Sequence, residues 1–245
     1  MKFLNQTAIV TGGTRGIGKG IATAFLNEGA NVLVTYAGNE TAAIQFKEEY
    51  AHFGEKLLVK KCDVRDENAI KQLFLELESK FSSIEILVNN SGIKKDQVLA
   101  MMTLEEWNDV IQTNLTGTFL MSKYAVLEFM KNRYGRIINM SSIGGELGLM
   151  GQANYAASKA GQVALAKSLS KEVAKRGITV NSVCPGFIET DLLSDISNEL
   201  KKEYVKDVPM KRFGTVNEVA SAVLFLASKE ASYITGADLS ISGGL

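Results

Sequence analysis

Thr7-Ala-Ile-Val-Thr11 is a β-branched run that breaks off at Gly12-Gly13 and is followed at once by a helical pattern. An apolar run without polar alternation reads as a strand buried on both faces. Behind the turn, Ile17, Ile21, Ala24 and Phe25 recur at helical spacing, and Gly29 supplies a stop. Asn31-Val-Leu-Val-Thr-Tyr36 then completes a strand–helix–strand unit. This unit constrains everything after it, because two parallel strands joined by a helix need a sheet with helices on its faces.

The alternation continues along the chain. A helix is expected over 40–53, a strand over Lys56–Cys62, and an amphipathic helix over 66–81, where Ile70, Leu73, Phe74, Leu77 and Phe81 share one face. Further strands are expected at Ile84–Val88, Tyr134–Met140, Ile178–Cys184 and Ala237–Ser242. Thr103-Leu-Glu-Glu106 and Thr215-Val-Asn-Glu218 carry the capping-box pattern, the first opening a long helix that contains Asn114. No repeat, linker or low-complexity tract interrupts the 245 residues. The expectation is one α/β domain over 1–245, a doubly wound Rossmann-type fold with a mainly parallel seven-stranded sheet and helices on both faces.

The glycines after the first strand run Gly12-Gly13-Thr14-Arg15-Gly16-Ile17-Gly18, a GxxxGxG spacing. Such a turn lets backbone N–H groups approach a pyrophosphate, and the following helix N-terminus favours its charge. An NAD site usually places a carboxylate about 20 residues further on, for the ribose 2′-hydroxyl. Here the second strand ends in Thr35, Tyr36, Ala37, Gly38 and Asn39, with no acid, while Arg15 stands in the loop with a guanidinium suited to a 2′-phosphate. The cofactor expected is NADP(H).

Tyr155 is the one tyrosine of seven with a lysine four residues on, Lys159, and Ser142 lies thirteen positions earlier. On a helix, i and i+4 share a face. An ammonium so placed favours the phenolate and is expected to draw the phenol pKa down from its reference of about 10. With Ser142 holding a carbonyl, the chemistry is that of a carbonyl/alcohol site needing a hydride donor. With a single histidine, His52, near the end of an expected surface helix, neither a Ser-His-Asp triad nor an HExxH zinc site is expected, so acid–base work falls to carboxylates or to the Tyr/Lys pair, and no metal site is expected.

Lys+Arg and Asp+Glu both number 27, so no net field draws in nucleic acid or anionic membrane. Cys62 and Cys184 match no metal or redox spacing and read as buried thiols. Met1–Gln6 turns polar too early for a signal core, and no apolar run reaches the ~18 residues of a membrane span. A cytoplasmic protein is expected. In sheets of this class ligands bind at the carboxyl ends of the strands. The glycine loop, Asp63, Asn89–Gly92, Ser142 and Pro185-Gly186 each follow an expected strand, which gathers them on one edge.

Thr11-Gly-Gly-Thr-Arg-Gly-Ile-Gly18, Asn89-Asn-Ser-Gly92, Asn114, Ser142, Tyr155-xxx-Lys159 and Pro185-Gly186 together resemble the ordered motifs of short-chain dehydrogenases/reductases, over essentially the whole chain. Gly151–Gly161, Arg176–Asn181 and Pro185–Asp191 are similar to the bacterial 3-oxoacyl-[acyl-carrier-protein] reductases of fatty-acid synthesis, as are Glu106–Asp109 and Ala231–Gly236. The resemblance implies that Tyr155 protonates the carbonyl oxygen. Lys159 would tune it and hold the nicotinamide ribose, Ser142 would bind the substrate carbonyl, and Asn114 would anchor a water relaying protons to Lys159. It assigns Gly12 to Arg15 to the phosphates, Asp63 and Val64 to adenine, Asn90 to the adjacent ribose, and Ile188 and Thr190 to the carboxamide. Gly16, Ile17, Gly18, Ser91, Gly92, Pro185 and Gly186, together with Tyr155 and Lys159, complete the cofactor set.

The resemblance further implies a homotetramer, with Arg133 and Arg176 docking an acidic acyl carrier protein and Lys131, Lys175 and Arg136 nearby. A 3-oxoacyl thioester would lie against Ile93, Leu147, Leu149, Met150 and the segment 187–210, the candidate lid. Two features depart from the family: Ser91 stands where Ala is usual, and the chain stops at Leu245 soon after Gly243-Gly244, so fewer C-terminal interface contacts are expected. Other substrates fit the same motifs: acetoacetyl-CoA, a sugar, or another small ketone or alcohol. An enoyl reductase fits less well, because its Tyr and Lys are usually farther apart. A non-catalytic NADP(H)-binding sensor on this fold is the remaining alternative.

Overall fold

The computed structural model describes residues 1–190 and 198–245. In chain order the first half forms β1 (Thr7–Thr11), α1 (Gly16–Asn27), β2 (Asn31–Tyr36), α2 (Glu40–Glu49), β3 (Leu57–Lys61), α3 (Glu67–Lys80) and β4 (Ile86–Asn89). Next come α4 (Leu104–Ile111), a π-helical turn at Gln112–Thr116, α5 (Gly117–Asn132), β5 (Gly135–Met140), α6 (Gly144–Leu147) and α7 (Ala153–Val173). The chain closes with β6 (Ile178–Pro185), β7 (Ile188–Glu189), α8 (Asn198–Asp207), β8 (Gly214–Thr215), α9 (Val216–Ala227) and β9 (Asp238–Ile241).

Seven strands pair in the order β3-β2-β1-β4-β5-β6-β9, every pairing parallel. Parallel strands need covered faces, and the side chains divide as the two-residue period requires. Ala8 and Val10 of β1, Val32 and Val34 of β2, and Ile86 and Val88 of β4 point to one core with Ile21 and Phe25 of α1 and Val219 and Val223 of α9. Ile9, Leu33 and Leu87 point the other way, against Ile70, Leu73 and Phe74 of α3 and Met121 and Phe129 of α5. The expected amphipathic face of α3 is buried at Ile70, Leu73, Phe74 and Leu77. Both expected capping boxes close, Thr103 with Glu106 and Thr215 with Glu218.

Two features lie beyond the sequence reading. The expected helix over 40–53 ends at Glu49 and tightens into a 3₁₀ stretch, with Gly54 at φ +57°. A two-stranded β7–β8 pair joins Ile188 to Gly214 and ties the segment after β6 to the start of α9. The expected lid over 187–210 is seen at its two ends, where Phe187 stacks on Tyr204 of α8 at 5.0 Å; its middle, 191–197, lies outside the described residues. Among the described residues no helix is long and apolar enough to cross a membrane.

Gly135, the first residue of β5, passes so close to α5 that a Cβ there would sit 2.1 Å from the Phe129 ring. Gly135→Ala should therefore overpack the core and lower stability by about 1–3 kcal/mol, read as a reduced urea midpoint.

Candidate active site

The strand order reverses between β1 and β4, and the turns that follow these two strands meet there. Thr11 joins them: its hydroxyl oxygen accepts from the backbone N–H groups of Asn90 and Ser91, both at 2.9 Å. Asn90 reaches back and donates through Nδ2 to the carbonyl oxygens of Thr11 and Gly12, both at 3.0 Å. Asn90 thus braces the glycine loop in addition to the ribose role that the resemblance gives it. Ser91 Oγ faces Gly12, 3.1 Å from where a Cβ would stand.

The loop needs its glycines. Gly12 and Gly16 adopt φ +62° and +53°. A Cβ on Gly18 would fall 2.5 Å from the Gly12 carbonyl oxygen and 2.4 Å from Asn90 Nδ2. Helix α1 has no side-chain cap and no acid in its first turn, so its N–H groups and dipole stay available to an anion. These residues fit a dinucleotide pyrophosphate. Thr190 comes within 3.9 Å of the Cβ position of Gly16, which brings the segment after β6 to the same loop. Asn39 is occupied as the N-cap of α2, and Arg15 is exposed. Asp63 is held by Arg65 Nη2 at 2.7 Å, and this pair keeps its carboxyl below the usual range. Val64 is buried against Gly117.

The catalytic candidates converge on α7. Ser142 follows β5, and its Oγ accepts from Gly144 N at 3.0 Å. A Cβ on Gly144 would meet Ser142 Oγ at 3.4 Å and Tyr155 Cε1 at 3.7 Å, so the serine and the tyrosine border one small space. Lys159 Nζ lies 5.6 Å from the centre of the Tyr155 ring. It donates to Met140 O at 2.6 Å and Gln162 Oε1 at 3.2 Å. Asn114 sits in the π-helical turn, fully buried; its Oδ1 accepts from Ile93 N, and its Nδ2 donates to Ile93 O and Ser158 Oγ. Gly92 runs past both, a Cβ there standing 3.3 Å from Asn114 Oδ1 and 3.6 Å from Lys159 Nζ.

The expected lowering of the Tyr155 pKa is not what the structure has. Burial holds the phenol above its ordinary value, with Asp96 adding to the rise and the Ser142 hydrogen bond opposing it. Burial also lowers Lys159, to about 8. Desolvation disfavours both charged forms at once, which outweighs the attraction expected from spacing alone.

Three residues that the motifs did not single out belong to this neighbourhood. Gln152 donates to Asp96 Oδ2 at 2.9 Å, Asp96 pairs with Lys94 at 3.4 Å, and Lys94 Nζ lies 5.6 Å from the Tyr155 ring centre. Exposed apolar side chains flank the site: Ile93, Leu147, Leu149 and Met150. The basic residues fall elsewhere. Arg133 ends α5 and Arg176 precedes β6, so both lie at the amino edge of the sheet, about 20 Å along β5 from Ser142. They do not rim this chain's own cleft. Arg133 donates to Lys175 O at 3.0 Å, Lys131 is paired with Glu78 and Glu128, and Arg136 is buried against the carbonyls of Gly135, Gly177 and Ser228.

A glycine cradle at the switch point, with a serine after the neighbouring strand β5 and a tyrosine and lysine on α7 beside it, defines a nicotinamide-dependent oxidoreductase. The chain belongs to the short-chain dehydrogenase/reductase family, and the family described as Enoyl-(Acyl carrier protein) reductase matches residues 12–245. It is 45% identical over 245 residues to the 3-oxoacyl-[acyl-carrier-protein] reductase FabG of Salmonella typhimurium, covering 100% of this chain and 99% of the relative. The FabG of Staphylococcus aureus strain N315 is 43% identical over 242 residues (99% of this chain, 98% of the relative), and that of Aquifex aeolicus 41% over 245 (100% and 99%).

Gly18→Ala should force the loop and Asn90 apart. Overpacking of about 1–3 kcal/mol, borne by the loop that would hold the cofactor, corresponds to a loss of about 5- to 150-fold in affinity for a nicotinamide dinucleotide, measurable by fluorescence titration.

Proposed function

We propose that this chain reduces 3-oxoacyl thioesters carried on an acyl carrier protein to the 3-hydroxyacyl form, using NADPH. The observation that carries the reading is the shared space of Ser142 and Tyr155 above a buried Lys159, opening beside the exposed apolar residues Ile93, Leu147, Leu149 and Met150. The relatives' names point to the same substrate. The spacing of Tyr155 and Lys159 favours carbonyl reduction over the enoyl chemistry in the family's description.

Gly12, Gly13, Thr14, Arg15, Gly16, Ile17 and Gly18 would hold the pyrophosphate end of the cofactor, with Arg15 toward the 2′-phosphate. Asp63, Val64, Asn90, Ser91 and Gly92 would border its adenosine half, and Pro185, Gly186, Ile188 and Thr190 its nicotinamide. When bound, the cofactor supplies hydride to the carbonyl carbon. Ser142 donates a hydrogen bond to the carbonyl oxygen and orients it. Tyr155, kept protonated at neutral pH by burial, donates its proton to that oxygen as negative charge develops there. The Lys159 ammonium, beside the ring, stabilises the phenolate left behind. Asn114 fixes the loop carrying Gly92 and Ile93 against α7.

We assign carrier docking to Arg133 and Arg176. Their place at the amino edge means that they would serve the cleft of a neighbouring subunit in a homotetramer.

The test is NADPH oxidation with an acetoacetyl-carrier substrate, alongside NADH and acetoacetyl-CoA. Fastest turnover with NADPH and the carrier is expected, and a preference for the CoA ester would replace the carrier with CoA. Tyr155→Phe should retain NADPH binding and lose about 10²–10⁴-fold in turnover, the usual worth of a positioned acid. Arg133→Glu with Arg176→Glu should raise KM for the carrier substrate and leave a short thioester unaffected. Equal loss on both substrates would remove docking from this pair.

A further inference from the structure

Gln162 is fully buried one turn beyond Lys159 on α7, and all its polar atoms are engaged. Its Nε2 donates to the Asn114 carbonyl oxygen at 2.8 Å and to Thr118 Oγ1 at 2.7 Å. Its Oε1 accepts from Lys159 Nζ at 3.2 Å. The Asn114 carbonyl that it meets lies in the π-helical turn. That carbonyl accepts both from the Gln162 amide and from the Thr118 hydroxyl, which donates at 2.7 Å. The carboxamide therefore spans from the backbone of one helix to the ammonium of another, a span that the family resemblance gives to a water.

A buried ammonium is costly unless its N–H groups find acceptors. Lys159 has three donors. Met140 O takes one and Gln162 Oε1 a second, which leaves one for the phenol or for a bound ribose. Among the described residues no carboxylate pairs with Lys159. The titratable groups facing it are Tyr155 on its own helix and Cys184 on β6; Lys94 and Asp96 stand beyond the Tyr155 ring, and Glu146 acts on Cys184 from α6. A neutral amide is thus the only side-chain acceptor on this ammonium among those residues.

We propose that Gln162 is a positioning residue of the reductase: by accepting from Lys159 while anchored to Asn114 and Thr118, it holds the ammonium in place and keeps it charged, and so sets the pH range over which Tyr155 works. The inference rests on the catalytic reading above. Loss of the acceptor in Gln162→Leu disfavours the charged lysine. A carboxylate of the same shape in Gln162→Glu favours it.

Two measurements test this. The first is the alkaline limb of kcat/KM for a 3-oxobutyryl thioester with NADPH, which reports groups of the free enzyme. It should move to lower pH in Gln162→Leu and to higher pH in Gln162→Glu, by about one unit each. The second is urea unfolding from pH 7 to 10.5, which needs no substrate. Lys159 titrates near 8 when folded and at the ordinary lysine value of about 10.5 when unfolded, so between those values the unfolded chain holds the extra proton and stability from this group rises with pH. That rise should begin earlier in Gln162→Leu and later in Gln162→Glu. Opposite displacements in the unfolding series support the proposal; unmoved limbs, or both variants moving the same way, overturn it. Should wild type reduce no 3-oxo thioester, the catalytic reading falls, while the unfolding series still decides whether Gln162 governs the ammonium.

Discussion

Lys159, a residue only 4% exposed, is what the Ser142–Tyr155 half of the candidate site is built around. A cation so far from water needs acceptors, and supplying them fixes α7 on β5. Met140 O takes a hydrogen bond from Nζ, Ser141 Oγ donates to Lys159 O, and Asn139 Nδ2 donates to Gln162 O. Asn89 extends the seam to Asn139 and Ser122. The buried face of α7 is accordingly polar over its first half, with Asn154, Ser158, Lys159 and Gln162 inside. Satisfied polar networks of this kind define one register, because any slip leaves several buried groups unpaired. The tyrosine that rides on this helix inherits that precision.

The cofactor half is organised by a different device. Placing β4 beside β1 brings the Thr11 hydroxyl under two backbone N–H groups of the neighbouring turn, and Asn90 returns two bonds to the glycine loop. The glycine loop is thus braced by the neighbouring turn, with an uncapped helix dipole behind it. Gly92, four residues after Val88, passes both Asn114 and Lys159, so one turn connects the two halves of the site.

The two edges of the sheet carry different chemistry. At the carboxyl edge, burial pushes Tyr155 up and Lys159 down, which favours a neutral, proton-loaded phenol. At the amino edge, Arg136 spends its guanidinium on the backbone carbonyls of Gly177, just before β6, and of Ser228, at the end of α9, and stacks on Tyr134 at 4.3 Å. Sequence proximity grouped Arg136 with Arg133 and Arg176. Burial separates them, since strand alternation turns Arg136 inward while the other two sit in exposed turns.

Local chemistry made much of this legible in the chain itself. β-branched runs, helical periodicity, capping boxes and glycines that tolerate positive φ act over a few residues, so they announced the alternating elements, the glycine turn before α1 and the closeness of Tyr155 and Lys159. Three-dimensional packing alone decided the rest. Gln162 gave no signal because its partners, Asn114, Thr118 and Lys159, come from two helices and read as unrelated letters in the sequence. The direction of the Tyr155 shift depended on desolvation, which is a property of what surrounds a group and not of what lies four residues away. The placing of Arg133 and Arg176 at the far edge followed from the run of β5 and β6, because a strand separates its two ends by its whole length.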